Sequence, residues 1–216
     1  MTSHIHKLLK CEVDSDFKVV NEIFKRKIYD RQDFIQSGET WLDIGANIGA
    51  FSLYVHLKGC KPIGYEPCIR NYNKLLELGY ECYNVAIGTS NRQGLLYLER
   101  NNHWRHHTRA TRRRLTQPIN IMDANDLPIC DGMKIDIEGD EVDVIYHLKR
   151  LPSKLIFEYD GGANPKKIVY DNLLNYLKQH YKNVQHIDLK QDIKFFPNGL
   201  LVKCWDLHPI ISETNE

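Results

Sequence analysis

The sequence predicts an α/β fold, in which a doubly wound, mostly parallel sheet carries helices on both faces. Short apolar strand patterns and helical patterns alternate over residues 40–87, and the alternation returns over residues 132–181. Strands separated by helices pair in parallel, because the crossover helix returns the chain to the same end of the sheet. With 216 residues, of which 42% are hydrophobic, the chain suits one domain (1–216) with a full core.

The first part of the chain, residues 1–39, is predicted to be a helical lead-in. Apolar residues recur at helical spacing from Phe17 to Phe24, after a candidate N-cap at Asp14 or Ser15. A second, shorter helix is predicted over Asp30–Gln36. The lead-in therefore precedes the sheet rather than contributing a strand to it.

The core of the fold, residues 40–205, is predicted to hold seven strands. The last two strands bracket Pro197-Asn198-Gly199, which predicts an antiparallel C-terminal hairpin. The predicted strands are 40–45, 61–66, 81–87, 132–137, 154–159, 183–189 and 199–205, with helices at 48–57, 69–78, 140–149 and 165–181.

A basic insertion, residues 94–122, separates the third and fourth core strands and is predicted to contain two further strands. Its segment 100–114 holds six arginines, three histidines and no acid, and without those six charges the chain falls from +1 to −5. Arginine forks bind carboxylate, phosphate and polyhydroxylated groups, and an aromatic ring can stack on a sugar, so the segment is expected to bind an acceptor that is anionic or is a nucleotide- or phosphate-linked sugar. A solvated loop, a partner interface and an RNA-binding surface are the alternatives. The residues expected to contact the acceptor are Trp104, Arg105, His107 and Arg109.

The segment Trp41–Phe51 (WLDIGANIGAF) predicts a ligand-binding turn after the first strand. Its glycines have G-x-x-x-G spacing, unlike the G-x-G-x-x-G of dinucleotide folds. Gly45 lets the backbone turn sharply and approach a ligand, and Asp43 places a carboxylate beneath the turn. A carboxylate repels a pyrophosphate and attracts a cation, which suits the ammonium and sulfonium groups of S-adenosylmethionine.

Glu66 ends the second strand, 21 residues after Gly45. A carboxylate at this place can accept hydrogen bonds from both ribose hydroxyls of a nucleoside. Taken alone, the glycine turn could be purely structural and Glu66 could be an ordinary surface acid. Together, on neighbouring strand ends, they predict a site for a nucleoside cofactor.

These segments resemble class I S-adenosylmethionine-dependent methyltransferases, and within that class the FkbM family. Leu42–Gly49 and Gly64–Pro67 look like the first two motifs of the class. Asn84–Gly88 and above all Met133–Glu141 (MKIDIEGDE) are similar to FkbM proteins. The resemblance covers about residues 40–160. It implies a seven-stranded, Rossmann-like methyltransferase sheet. It also implies an enzyme that methylates a hydroxyl group of a saccharide, either a glycan or a glycoside, with deoxysugars among the candidate acceptors.

The resemblance also implies which residues hold S-adenosylmethionine and its product S-adenosylhomocysteine. Most of them lie in the turns that follow the first three strands. The expected cofactor contacts are Asp43, Gly45 and Asn47 at the methionine part, Glu66 at the ribose, Asn84 and Val85 at the adenine, and Ala46, Gly49, Phe51, Pro67, Ala86 and Asp136 around them.

Catalysis is predicted at the ends of the fourth and fifth strands, since ligands of open α/β sheets lie beyond the carboxyl ends of the strands. Asp136 is placed nearest the transferred methyl group, and Glu138 and Asp160 are further candidates for the general base. Asp136, Glu158 and Asp160 would together suit Mg²⁺ or Mn²⁺. In the alternative, one acid is the base and the others cap loops. Many FkbM-type relatives have Glu-x-His where this chain has Glu158-Tyr-Asp160, which leaves the base open.

The composition limits partners and location. A net charge of +1 disfavours a general nucleic-acid binder, and the apolar runs are too short to span a membrane. The start has no signal-peptide stretch and the six cysteines form no C-x-x-C pair, so we expect a cytoplasmic protein with reduced thiols. The expected partner is a saccharide or glycoside acceptor, with fusion to or partnership with glycan-building enzymes left open. The alternatives are an RNA ribose or small-molecule O-methyltransferase and a non-catalytic, methyltransferase-like binding module.

Overall fold

The computed structural model describes residues 2–30, 33–98, 115–160, 167–188 and 199–208. Helices and strands alternate along most of this length. The lead-in contains α1 (Thr2–Leu8), α2 (Asp14–Val20) and a π-helical turn (Asn21–Lys25). The following elements are β1 (Thr40–Ile44), α3 (Ala50–Leu57), β2 (Lys61–Tyr65), α4 (Ile69–Leu76), β3 (Glu81–Tyr83), β4 (Ala86–Gly88), β5 (Arg92–Leu98), β6 (Leu115–Asp123), a 3₁₀ turn (Ala124–Asp126), β7 (Gly132–Ile135), α5 (Glu141–His147), β8 (Lys154–Asp160), α6 (Lys167–His180), β9 (Tyr181–Asp188) and β10 (Gly199–Leu207).

Seven of the described strands form the main sheet, in the order β3-β2-β1-β7-β8-β10-β9. β10 runs antiparallel to β8 and β9, and the other neighbours are parallel. The doubly wound, mostly parallel, Rossmann-like sheet with an antiparallel C-terminal hairpin is thus confirmed. The chain order reverses between β1 and β7, so their carboxyl ends are the topological switch point where ligands of such sheets bind.

Both faces of the sheet are buried, as a doubly wound fold requires. Along β8, Leu155 and Phe157 pack in one apolar cluster with α5 and α6, while Ile156 between them packs in a second cluster on the opposite face. The second cluster also contains Trp41 of β1 and buried residues of the lead-in. The lead-in therefore covers one face of the sheet.

The predicted helix over Asp30–Gln36 is wrong in its described part, since residues 33–36 are irregular. The carboxylate of Asp30 accepts hydrogen bonds from the Ile35 backbone N–H at 2.8 Å and from the Tyr54 hydroxyl at 2.8 Å. The Lys58 ammonium also donates to it, at 2.7 Å. These contacts wrap the chain around Asp30 instead of continuing it as a helix.

The predicted third strand, 81–87, is divided into β3 and β4, and β4 leaves the main sheet. It joins β5 and β6 of the insertion in a three-stranded sheet of order β4-β6-β5. The Asn84 side-chain amide, between β3 and β4, donates to the carbonyls of Glu66 and Pro67 at 2.8 and 3.0 Å. This side-chain bonding takes the place of the ladder and interrupts the strand. No helix in the described part of the chain is long and apolar enough to cross a membrane.

Candidate cofactor and catalytic site

The turn after β1 adopts backbone conformations that favour glycine. Gly45, Asn47 and Gly49 have φ values of 76°, 53° and 83°. A Cβ atom on Gly45 would lie 1.9 Å from the carbonyl oxygen of Asp136. Glycine is therefore required here, because the exit of β1 passes directly against the backbone that leaves β7.

The backbone N–H groups of this turn are largely used within the protein. Those of Gly45 and Ala46 both donate to the Tyr65 carbonyl at 3.0 Å, and that of Gly49 donates to the Ala46 carbonyl at 2.9 Å. The Asn47 N–H donates to the Glu66 carboxylate at 2.8 Å. A pyrophosphate-binding turn directs its N–H groups at the ligand, so this turn is unlike a dinucleotide site in its hydrogen bonding as well as in its glycine spacing.

Glu66 connects the turns that follow β1 and β2. Its Oε2 atom accepts the Asn47 N–H at 2.8 Å, and its Oε1 atom accepts the Cys68 N–H at 2.8 Å. The residue is 5% exposed, and burial raises the pKa of its carboxyl to about 7 although both N–H donors lower it. Each carboxylate oxygen has a second lone pair, so Glu66 retains capacity for ribose hydroxyl donors.

Asn84, between β3 and β4, and Gln117, in the insertion, both form hydrogen bonds with the turn that contains Glu66 and Pro67. The Gln117 amide of β6 donates to the Pro67 carbonyl at 2.7 Å and accepts the Ile69 N–H at 3.1 Å. Asn84 donates to the carbonyls of Glu66 and Pro67. Gln117 was not predicted from the sequence, because no local pattern marks a glutamine that bonds to a turn about 50 residues earlier in the chain.

Asp43 supports the turn from below. It is fully buried, and its Oδ2 atom accepts the Ser52 N–H at 3.1 Å and the Ser52 hydroxyl at 2.7 Å. Its Oδ1 atom lies at ion-pair distance, 3.2 Å, from the Lys134 ammonium. Asp43 thus ties β1 to α3 and to β7, and its contact with the methionine part of a cofactor stays a prediction.

Lys134, in the middle of β7, is a buried cation that sequence analysis missed. Its Nζ atom donates to the Gly45 carbonyl at 2.9 Å and lies 3.5 Å from Asp136 Oδ2. Burial alone would lower the pKa of Lys134, but the charges of Asp43 and Asp136 outweigh it and the pKa is raised. The ammonium is therefore charged at neutral pH. The available signal was a lysine within a strand, Gly132–Ile135, that is otherwise apolar and buried.

Asp136 follows β7 at the switch point. Its backbone N–H donates to the Ile44 carbonyl at 3.0 Å, and its side chain is 29% exposed. Asp136 is thus partly open to solvent, next to the glycine turn. Glu138, two residues on, has a left-handed φ of 60°. Its predicted role as a base stays a prediction.

Glu141, the first residue of α5, closes the loop that precedes this helix. Its carboxylate accepts the Ile137 N–H at 3.1 Å and the Gly139 N–H at 2.9 and 3.0 Å. Burial raises the pKa of this carboxyl to about 7. Glu141 therefore organises the loop that carries Glu138.

The metal hypothesis gains no support. Among the residues whose side chains are described, no group of three or more His, Cys, Asp or Glu residues is arranged to hold a metal ion. Glu158 and Asp160 lie in β8 opposite Leu201 and Gly199 of β10, and the Asp160 side chain lies outside the described residues. The Lys134 ammonium lies 3.5 Å from Asp136 Oδ2 and supplies a positive charge there.

The four residues expected to contact the acceptor also lie outside the described residues, which exclude 99–114. Their assignment stays a prediction. These residues are Trp104, Arg105, His107 and Arg109.

The described residues fit S-adenosylmethionine in their chemistry. The Asn47 Oδ1 atom is buried without a hydrogen-bond donor, so it can accept from an ammonium group. Glu66 offers carboxylate oxygens to a ribose diol, and Gly45 leaves the turn without a side chain. The site thus offers acceptor oxygens, which suits a cation and a diol and does not suit a pyrophosphate.

Comparison with known proteins bears on the fold alone. No family profile and no curated protein matches the chain in sequence. A chain of a fibrillarin/Nop5p complex is 13% identical over 83% of this chain and 78% of its own length, with a TM-score of 0.48. Precorrin-6y C5,15-methyltransferase from Geobacter metallireducens is 12% identical over 79% and 81%, with a TM-score of 0.44. Aeropyrum pernix fibrillarin with natively bound S-adenosyl-L-methionine is 15% identical over 79% and 67%, with a TM-score of 0.42.

These likenesses are too distant to carry an activity or an acceptor to this chain. Because no family profile matches, membership of the FkbM family also stays a prediction.

Proposed function

We propose that the chain is an S-adenosylmethionine-dependent O-methyltransferase that methylates a hydroxyl group of a saccharide. The observation that carries the proposal is the contact between Glu66 and the Asn47 N–H, at 2.8 Å. It sets a ribose-type carboxylate against the glycine turn of the neighbouring strand, at the switch point of a doubly wound sheet. The unpaired Asn47 Oδ1 and the internally bonded N–H groups of the turn favour a cationic nucleoside over a dinucleotide.

Glu66 and the Gly45 turn would hold S-adenosylmethionine, which would supply an electrophilic methyl group on its sulfonium and would leave as S-adenosylhomocysteine when the carbon–sulfur bond breaks. Asp136 accepts the proton of the acceptor hydroxyl as the new oxygen–carbon bond forms. Its partly exposed carboxylate lies beside the Gly45 turn, which places the base and the cofactor turn on neighbouring strand ends. Lys134 balances the charge of Asp136 before the proton is transferred. The protein thus contributes alignment and a proton acceptor.

A saccharide acceptor is supported by the resemblance of Met133–Glu141 to FkbM proteins and by the acidic character of the chain outside the basic segment. Carboxylates accept hydrogen bonds from neutral sugar hydroxyls and repel phosphates. The six arginines of residues 100–114 favour a second candidate, the ribose hydroxyl of an RNA. The two candidates differ in which acceptor gains a methyl group.

The cofactor assignment is tested by calorimetry with S-adenosylhomocysteine. We expect the native chain to bind it and Glu66→Ala to weaken binding. Glu81→Gln, a change of a more exposed acid on β3 of the same sheet, is the control and leaves the affinity unchanged. No binding by the native chain would refute the proposal.

The acceptor is tested with isotopically labelled S-adenosylmethionine and two panels, one of deoxysugar and other glycosides and one of oligoribonucleotides. Mass spectrometry then counts the added methyl groups. Methylation of a glycoside supports the saccharide assignment. Methylation of the oligoribonucleotides alone would refute the saccharide assignment and support RNA ribose as the acceptor.

A further inference from the structure

Lys134 is a buried cation near the carboxyl ends of β1 and β7. In the proposed reaction it does not have to contact a substrate. Its Nζ atom faces three oxygens: the Gly45 carbonyl at 2.9 Å, Asp43 Oδ1 at 3.2 Å and Asp136 Oδ2 at 3.5 Å. The first two oxygens belong to β1 and its turn, and the third follows β7. A single buried ammonium therefore bonds across the switch point.

The backbones at this point are already in close contact. A Cβ atom on Gly45 would lie 1.9 Å from the Asp136 carbonyl, so the two strand exits touch. Lys134, which is 4% exposed, contacts polar groups of both exits. The Lys134 ammonium donates a hydrogen bond to the Gly45 carbonyl and forms ion pairs with Asp43 and Asp136, so one residue contacts both the turn and the Asp136 carboxylate.

We infer that Lys134 is a positioning residue, which fixes the glycine turn and the Asp136 carboxylate in the arrangement that receives the cofactor. This inference rests on the proposed function. Holding a site in its bound geometry before the ligand arrives raises affinity, since less ordering remains to be done on binding. Lys134 should therefore affect cofactor affinity beyond its effect on folding.

A purely structural role must be separated from this one. Lys134→Met alone leaves the fully buried Asp43 without its cation, and an uncompensated buried charge destabilises a fold. Asp43→Asn removes that imbalance. The decisive comparison is therefore between Asp43→Asn and the double variant Asp43→Asn/Lys134→Met, which differ only in Lys134.

Lys154 supplies a matched control. It is also a largely buried lysine in a core strand, and its Nζ atom donates to the Phe34 carbonyl at 2.8 Å and pairs with Glu39. It lies at the start of β8, at the end of the sheet opposite the switch point. Lys154→Met should lower the melting temperature without changing affinity for S-adenosylhomocysteine.

The experiment measures affinity for S-adenosylhomocysteine by calorimetry, and the melting temperature of each variant, at a temperature where circular dichroism shows all to be folded. We expect the double variant to bind at least about tenfold more weakly than Asp43→Asn, as expected for a loosened site. Equal affinities in that pair would overturn the inference, as would an equal loss of affinity in Lys154→Met. Absence of binding by the native chain would instead refute the proposed function, and the inference with it.

Discussion

Two buried glutamates, Glu66 and Glu141, follow β2 and β7, the two strands that flank β1, and they have similar surroundings. Each accepts backbone N–H groups, and burial raises the pKa of each to about 7. They differ in what they join. Besides the nearby Cys68 N–H, Glu66 accepts the Asn47 N–H, 19 residues away in the turn after β1, whereas Glu141 accepts N–H groups two and four residues away in its own loop.

The difference indicates two roles for one type of residue. A carboxylate that bonds within its own loop stabilises that loop and needs no ligand. A carboxylate that joins the turns of two adjacent strands, β1 and β2, beside the switch point lies where a ligand would touch both turns. Substitution of Glu66 should therefore change the affinity for the cofactor, whereas substitution of Glu141 should change only the stability of the fold.

The largest expected effect is on stability as a function of pH. Both folded-state pKa values, about 7, exceed the ordinary value of 4.5, so the folded chain binds more protons than the unfolded chain between those pH values. Stability contributed by each glutamate is fully present below about pH 4.5 and falls by about 3 kcal/mol as pH rises to 7. We expect the unfolding free energy, measured with urea across this pH range, to fall less steeply in Glu66→Gln and in Glu141→Gln than in the native chain.

Saturating S-adenosylhomocysteine distinguishes the two residues in the same titration. The ribose hydroxyls favour the ionised form of Glu66, so bound ligand should remove the contribution of Glu66 and leave that of Glu141. A pH dependence that ligand leaves unchanged would contradict the assignment of Glu66.

The next effect is on affinity. Glu66→Gln removes a charged acceptor of ribose hydroxyls and should weaken binding of S-adenosylhomocysteine by about 2 kcal/mol, or about 30-fold. Glu141→Gln should lower the unfolding free energy or leave it unchanged and should change affinity by less than about threefold. Calorimetry measures the affinities, and an equal loss in both variants would remove the distinction.

Binding should also release protons. At pH 7 the Glu66 carboxyl is about half protonated, so binding that favours its ionised form should release about half a proton. Calorimetry in phosphate and in Tris buffer separates the protonation heat. The release should vanish in Glu66→Gln and persist in Glu141→Gln, and proton uptake would contradict the ribose role.

The smallest effect concerns Gln117. Its two hydrogen bonds hold the turn after Glu66, and Gln117→Ala should weaken binding of S-adenosylhomocysteine by about 1 kcal/mol, or about fivefold. Gln93→Ala, an exposed glutamine on β5 of the same small sheet, is the control. Loss of affinity in the control alone would show that the insertion acts by another route.

The sequence predicted the parallel sheet and the strand ends that carry the site, because those features depend on local patterns. Asp43, Gly45 and Glu66 were found from apolar strands that end in glycine or an acid. The division of the third strand at Asn84 was not predicted, since it depends on a side-chain contact with the turn after β2.

The role of Lys134 was also not predicted, although a lysine within an apolar strand is unusual. This role depends on contacts with oxygens of Asp43, Gly45 and Asp136, which come together only in the folded sheet. Pairing across strands sets such contacts, and the spacing of residues along the chain does not reveal them. The acceptor residues of the basic insertion remain predictions from sequence alone.

The central claim is that Glu66 and the Gly45 turn hold the nucleoside of S-adenosylmethionine. A crystal structure of the chain with S-adenosylhomocysteine tests it most directly. We predict both ribose hydroxyls within hydrogen-bond distance of the Glu66 carboxylate, with the Asn47 N–H still bonded to it. Ligand density away from the ends of β1 and β2, or a ribose that does not contact Glu66, would contradict the claim.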